Sequence, residues 1–227
     1  MSKYKWLFFD ADNTIFDFDR SEAQAFERAL ARQNIGFSPN MLDLYKKINH
    51  QCWRELEEGK ITKAELKHKR FDLFFTSIDQ NAHIETFSTD YLSFLSQTHF
   101  LLDGAIELLE QVKKNHRLVL VTNGLKNVQR PRFARTEIHR FFETIVISEE
   151  IGHAKPQTAF FDFTFEQINH PAKEEVLMIG DNIHADIGGA QQYGLDTCWY
   201  NHRQDTGKQT IQPTYIIHQI KDLINIL

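Results

Sequence analysis

Six short runs of apolar and aromatic residues punctuate the chain: Trp6–Phe9, Leu118–Val121, Ile145–Ile147, Val176–Ile179, Thr197–Tyr200 and Tyr215–Ile217. Each is rich in β-branched or aromatic side chains, and polar or turn residues bound it. Continuous apolarity over strand length predicts strands buried on both faces of a parallel sheet. Between them the spacing turns helical over about 104–115, 125–140, 157–168 and 184–193, with a last segment near 219–227. Strand–helix alternation predicts an open α/β sheet with right-handed crossovers.

The interval 17–97 breaks this order. Ala23, Phe26, Ala29 and Leu30, then Leu42, Leu44, Tyr45 and Ile48, then Leu66, Phe71, Leu73 and Phe74 all keep helical spacing. Turn signals at Gly36-Phe37-Ser38-Pro39 and Gly59-Lys60-Ile61-Thr62 separate them, with Ser38 and Thr62 each placed to cap the next helix. About eighty residues is too long for a loop. The expected organisation is an α/β core from 1–16 and 98–227, with an all-helical subdomain inserted at 17–97.

Composition excludes more than it selects. The 227 residues are 41% hydrophobic and 25% charged, ordinary globular usage. That excludes a collagen, a coiled-coil rod and a disordered tail. A formal charge of −5 argues against a nucleic-acid polymer as partner. Cys52 and Cys198 cannot build a disulfide framework and read as small buried apolar residues. No run approaches the roughly 18 residues of a membrane span. The stretch Met1-Ser2-Lys3-Tyr4-Lys5 leads into too short an apolar segment before Asp10 for a signal-peptide core. A cytoplasmic protein without membrane contact is expected.

Ligands of an open parallel sheet bind beyond the carboxyl ends of its strands. Asp10-Ala11-Asp12-Asn13-Thr14 comes after the first strand, Thr122-Asn123-Gly124 after the second, and Gly180-Asp181-Asn182 after the fourth, with Asp186 just beyond. Lys155-Pro156 comes shortly after the third. Carboxylates gathered at one edge repel one another unless a cation intervenes. Mg²⁺ suits a site with few carboxylates and places left for water and phosphate. A hydroxyl, backbone amides and an ammonium suit a phosphoryl group. An aspartate there can attack phosphorus, and a second can protonate the leaving oxygen and then activate water. Asp10, Asp12, Asp181 and Asp186 account for four of the five net negative charges. The rest of the chain is nearly neutral.

These four motifs, in this order, resemble those of the haloacid dehalogenase superfamily of phosphohydrolases. The resemblance implies a Rossmann-like core with the helical insertion as a mobile cap. It implies Asp10 as nucleophile and Asp12 as general acid/base. Mg²⁺ would be held by Asp10, the Asp12 carbonyl and Asp181. Thr122, Asn123 and Lys155 would bind the phosphoryl group, with Lys155 also offsetting the charge on Asp10. Asp186 would orient the metal's surroundings or Lys155 from behind. Ile48-Asn49…Trp53…Gly59-Lys60-Ile61-Thr62…Arg70-Phe71, Asn123-Gly124…Gln129…Arg132, Ile147-Ser148-Glu149-Glu150-Ile151-Gly152 and Gly194-Leu195-Asp196-Thr197-Cys198-Trp199 resemble one branch. That branch comprises bacterial 5′-nucleotidases acting on pyrimidine nucleoside monophosphates, including noncanonical ones. The implied substrate is a small-molecule phosphomonoester. Two positions depart: Pro131 should kink the helix after the second strand or delay its start, and Glu137 stands where the branch often has glycine.

Plainer readings compete. Taken alone, Asp12 reads as a helix N-cap and Thr122-Asn123-Gly124 as a turn, but their shared strand-end location with Asp10 and Asp181 favours the site. Lys155 reads as a solvated loop lysine and Asp186 as a residue that caps or solvates the helix near Ile183. In the insertion, Trp53 either stacks on a base with Asn49 or Arg70 bonding its edge, or fills the local core while Arg70 pairs with Glu57 or Glu58. Lys126, Arg130, Arg132, Arg135 and Arg140 read as a solvated helix face. The alternatives to a nucleotidase are a phosphatase or mutase for a sugar phosphate or phosphoglycolate, and a non-catalytic binding protein on the same fold. A dehalogenase would need neither Asp12 as leaving-group acid nor Mg²⁺.

Overall fold

The computed structural model describes residues 2–206 and 210–227. Met1, with which the expected segment 1–16 begins, lies outside them. The chain divides into two compact units, Met1–Phe18 with His99–Leu227, and Asp19–Thr98.

Among the described residues, the first unit holds six strands: β1 (Trp6–Phe9), β2 (Arg117–Thr122), β3 (Thr144–Ile147), β4 (Val176–Gly180), β5 (Asp196–Tyr200) and β6 (Tyr215–Ile217). All pair in parallel, in the order β3-β2-β1-β4-β5-β6. This is the Rossmann-like α/β arrangement, and its strand order reverses around β1, between β2 and β4. Alternation along the strands sorts side chains to two faces. Leu7, Phe9, Leu118, Leu120, Leu177 and Ile179 enter one apolar cluster. Trp6, Phe8, Val119, Val121, Val176 and Met178 enter the other. With both faces covered, the strands read as unbroken apolar runs.

The segment after β1 belongs to this unit slightly beyond the expected boundary. Phe16 is fully buried and bridges Leu101, and the Asp17 amide donates to the Phe100 carbonyl at 3.1 Å. These ties carry the division to Phe18 on one side and Thr98 on the other.

The second unit is built from α1 (Phe18–Arg32), α2 (Pro39–Glu57), α3 (Lys63–Ser77) and α4 (Ile84–Gln97). Its centre is aromatic: the Tyr45 ring stacks on Phe26 at 4.4 Å and on Phe71 at 5.5 Å, and Phe74, Phe87 and Tyr91 meet them edge-on. Thr62 caps α3 in a reciprocal box with Glu65, whereas the Ser38 side chain makes no cap bond. Leu73 faces solvent at 39% exposure, so its helical spacing did not mark a core position.

Back in the first unit, α5 (Ala105–Val112) comes after the insertion, and α6 (Lys126–Thr136) after β2. The latter runs through Pro131 without the delayed start that proline suggested. Pro131 is the sixth residue, so only one backbone bond is forgone. After β3 comes a single turn, α7 (Ser148–Ile151), which the apolar pattern did not reveal. Then come α8 (Thr158–Gln167) and α9 (Gly189–Tyr193), the latter entered through a π-helical turn, Ile183–Gly188.

Candidate active site

Asp10 leaves the end of β1, where its amide still donates to the Ile179 carbonyl of β4 at 2.9 Å. Asp181 leaves the end of β4, and Trp199 of β5 pins its carbonyl through an indole N–H at 2.9 Å. The register of β1 with β4 sets the two carboxylates side by side at the point where strand order reverses. Asp186, on the π-helical turn, completes a cluster in which one oxygen from each of the three lies within 4.8 Å of the others.

Lys155 lies against this cluster, 1% exposed. Its Nζ donates to Asp10 Oδ1 at 2.7 Å and the Val121 carbonyl at 2.8 Å, and meets Asp186 Oδ1 at 2.7 Å. An ammonium has three donors, and all three are spent. Lys155 is therefore no solvated loop lysine, nor does it hold a donor in reserve for a phosphoryl oxygen. It is the buried countercharge of Asp10. Burial alone would lower its pKa; Asp10 and Asp186 outweigh that and hold it above the usual lysine range. Asp186 is not a solvating residue either. It is 1% exposed, with Oδ2 accepting from the Asn182 amide at 3.1 Å, while Asn182 itself caps the turn through bonds from His184 and Ala185. Gly180 makes this approach possible: a Cβ there would sit 2.2 Å from Asp186 Oδ2.

With Asp186 committed, Asp10 and Asp181 keep carboxylate oxygens to offer. Burial pushes the Asp10 carboxyl up to about 7, against the opposing pull of Lys155 and with the help of Asp186 and Asp12. Asp181, whose side chain is about a fifth exposed at 22%, is raised well above the carboxylate range by desolvation and by Asp10 and Asp186. Two strained carboxylates with free hard oxygens fit a divalent cation that leaves room for phosphate and water.

Asp12 is not a helix cap. Its Oδ2 accepts from Gln129 Nε2 at 2.7 Å and its Oδ1 from Arg132 Nη1 at 2.6 Å, both on α6. It is Asn13, not Asp12, that accepts from the Phe18 amide at the start of α1. Thr122, 2% exposed, has its hydroxyl between the Gly124 amide and Gln129 Nε2, at 3.1 and 3.0 Å. The Asn123 carboxamide accepts from the Lys155 amide and donates to the Lys155 carbonyl, both at 2.8 Å. Its side chain is thus a strut fixing the lysine loop to β2 rather than a hand extended to phosphate. Arg132 departs from the expected solvated face: it is fully buried, while Arg130 pairs with Glu150 outside.

The insertion residues lie in the second unit. Asn49 and Arg70 are 5% and 2% exposed and bond each other at 2.9 Å. Arg70 pairs with neither Glu57 nor Glu58; the latter meets Lys60. Asn49 also donates to Glu22 at 2.7 Å, and that buried carboxyl is pushed up to about 7 by desolvation. Sequence spacing carries no sign of Glu22, because a glutamate on α1 looks like any surface residue. Trp53 is half-buried and does not join the aromatic centre.

A sequence model of haloacid dehalogenase-like hydrolases matches residues 7–200. The chain is 37% identical over its full length, and over 97% of the relative's, to the hydrolase YfnB of Bacillus subtilis. The orthorhombic crystal structure of that protein, bound to magnesium and revealing interdomain movement, superposes with a TM-score of 0.94 over 99% of both chains. The chain is 32% identical to the pyrimidine 5′-nucleotidase YjjG of Escherichia coli over 99% of its length and 98% of the relative's. It is 34% identical to the pyrimidine 5′-nucleotidase PynA of Streptococcus pneumoniae over 99% of its length and 95% of the relative's.

Proposed function

The chain belongs to the haloacid dehalogenase-like hydrolase family, and on that premise we propose that it is a Mg²⁺-dependent 5′-nucleotidase of pyrimidine nucleoside monophosphates. The observation that carries the phosphomonoesterase reading is Asp10. Its Oδ1 is held by Lys155, while Oδ2 takes no hydrogen bond among the described residues. A carboxylate fixed by one oxygen and open at the other supports the reading of Asp10 as the group that attacks phosphorus. The pyrimidine preference is supported by the two full-length nucleotidase relatives.

In this reading Asp10 Oδ2 forms a bond to phosphorus as the ester oxygen leaves, giving a phosphorylated Asp10. Asp12 delivers a proton to that oxygen, then takes one from the water that releases phosphate. Lys155 opposes the burial that raises the Asp10 carboxyl and so favours its ionised form. The Thr122 hydroxyl and the Asn123 amide receive the equatorial oxygens. Asp10, the Asp12 carbonyl and Asp181 would hold Mg²⁺, which when bound screens the charge between nucleophile and phosphate. Asp186 steadies Lys155 from behind. The helical unit is the cap and carries the choice of base. Trp53 keeps an exposed portion for stacking, whereas Asn49 and Arg70 are committed to each other.

The test is a panel of UMP, dUMP, TMP, purine nucleoside monophosphates, phosphoglycolate and sugar phosphates, compared by kcat/KM with Mg²⁺ present. The expected result is preference for the pyrimidine nucleotides. A sugar phosphate or phosphoglycolate standing out instead would overturn the substrate assignment while keeping the chemistry.

A further inference from the structure

We propose that Gln129 and Arg132 are positioning residues that clamp the Asp12 carboxylate for proton transfer and tie it to the phosphoryl-binding hydroxyl of Thr122. The proposal rests on the reading of Asp12 as the acid and base of a phosphomonoesterase.

The clamp is a closed circuit. Arg132 Nη1 donates to Asp12 Oδ1 at 2.6 Å and to Gln129 Oε1 at 2.9 Å. Gln129 Nε2 donates to Asp12 Oδ2 at 2.7 Å and to Thr122 Oγ1 at 3.0 Å. Each carboxylate oxygen thus takes one donor, which fixes the carboxylate plane. Each oxygen has two lone pairs, so one remains on each for the proton that is exchanged. The Asp12 side chain is 26% exposed while Arg132 is fully buried, so the clamp grips from the protein side and leaves the other open.

The cost of the arrangement argues that it has a purpose. A guanidinium out of water is expensive unless paired. Among the described residues, Nε and Nη2 of Arg132 have no hydrogen-bond partner, and Asp12 is the carboxylate it meets. The Phe16 ring, 4.5 Å from the guanidinium carbon, covers part of the rest. A residue wanted only for packing would fill this space more cheaply as leucine or methionine. The backbone is shaped for the clamp as well. Gln129 and Arg132 share a face of α6 at a spacing of three. A Cβ on Gly124 would fall 2.4 Å from Gln129 Nε2, so the glutamine seats only over bare backbone.

A group that orients a general acid matters in proportion to how much the leaving oxygen needs a proton. The experiment compares kcat/KM for p-nitrophenyl phosphate, whose leaving group departs unaided, with that for a nucleoside 5′-monophosphate, whose alkoxide does not. This ratio reports the steps through ester cleavage. Wild type, Arg132→Met, Gln129→Leu and Gly124→Ala are compared, with Asp12→Asn as the reference for a lost acid. The expected result is a loss on the nucleotide at least 10-fold greater than on the aryl ester, in the direction Asp12→Asn shows. Equal losses on both esters, in variants that retain wild-type circular dichroism, would overturn the clamp. Gly124→Ala displaces Gln129 without deleting a polar group, so the question stays answerable if Arg132→Met fails to fold. A wild-type protein that cleaves neither ester overturns the phosphomonoesterase reading itself, before any variant is made.

Discussion

Single residues in this chain are set by their surroundings more than by their identity. Asp10, Asp12, Asp181 and Asp186 are four copies of one side chain with four occupations. They are, in turn, paired to a buried lysine, clamped from α6, left with free oxygens, and locked behind that lysine. Glu22 shows the same rule away from the active site. Its carboxyl is raised from 4.5 to about 7 by desolvation, against the pull of Lys46, Asn49 and Arg70. Between these two values the folded chain binds a proton that the unfolded chain has released. Stability contributed at this position therefore falls as pH rises from about 4.5 to about 7, and is level above. Thermal melting of wild type and Glu22→Gln at pH 5 and pH 8 checks this. The wild-type melting temperature should drop relative to the variant by roughly 5–10 °C across that interval. Parallel behaviour of the two proteins would remove Glu22 from the account.

At the scale of elements, α6 concentrates the departures from expectation. It tolerates Pro131, buries Arg132 and ends at Glu137, which adopts the left-handed conformation at φ 55°. That conformation costs an L-residue about 1–2 kcal/mol, part of which glycine would give back in unfolded-state entropy. Glu137→Gly should therefore stabilise the protein by about 0.5 kcal/mol in denaturant melts. A loss of stability would mean that the glutamate side chain contributes something its backbone conformation hides. The strands were legible in the sequence because a parallel sheet covered on both faces leaves unbroken apolar runs. The strand-end motifs were legible because parallel topology sends every strand terminus to one edge. The fate of Arg132 was not legible, because a basic residue among basic residues predicts solvent, and its partner lies 120 positions away. Nor was the short helix after β3, a single turn too brief to show a period. The Asn123 strut and the saturation of Lys155 depend on distances that spacing alone does not carry.

At the scale of the whole molecule, Asp10, Asp181 and Asp186 gather at one end of the sheet. Asp10 and Asp181 titrate high chiefly because burial strips them of water, and then because neighbouring carboxylates repel them. A divalent cation would relieve that repulsion in the folded chain, and the unfolded chain offers no equivalent. Mg²⁺ should therefore raise the melting temperature in a saturable way. The increment is about 2.7 kcal/mol at a hundred times the dissociation constant, or roughly 5–10 °C for a protein of this size. Asp181→Asn should blunt the response, which a thermal-shift titration reads directly. Equal shifts in both proteins would place the cation elsewhere.

The claim on which the rest depends is that Asp10 is the nucleophile of a phosphomonoesterase. It is tested most directly by the rate of phosphate release from UMP with Mg²⁺ present, measured for wild type and for Asp10→Asn. Wild type should release phosphate, and the variant, folded to the same circular dichroism, should be slower by at least about 10³-fold. Release by the variant at the wild-type rate would contradict the account.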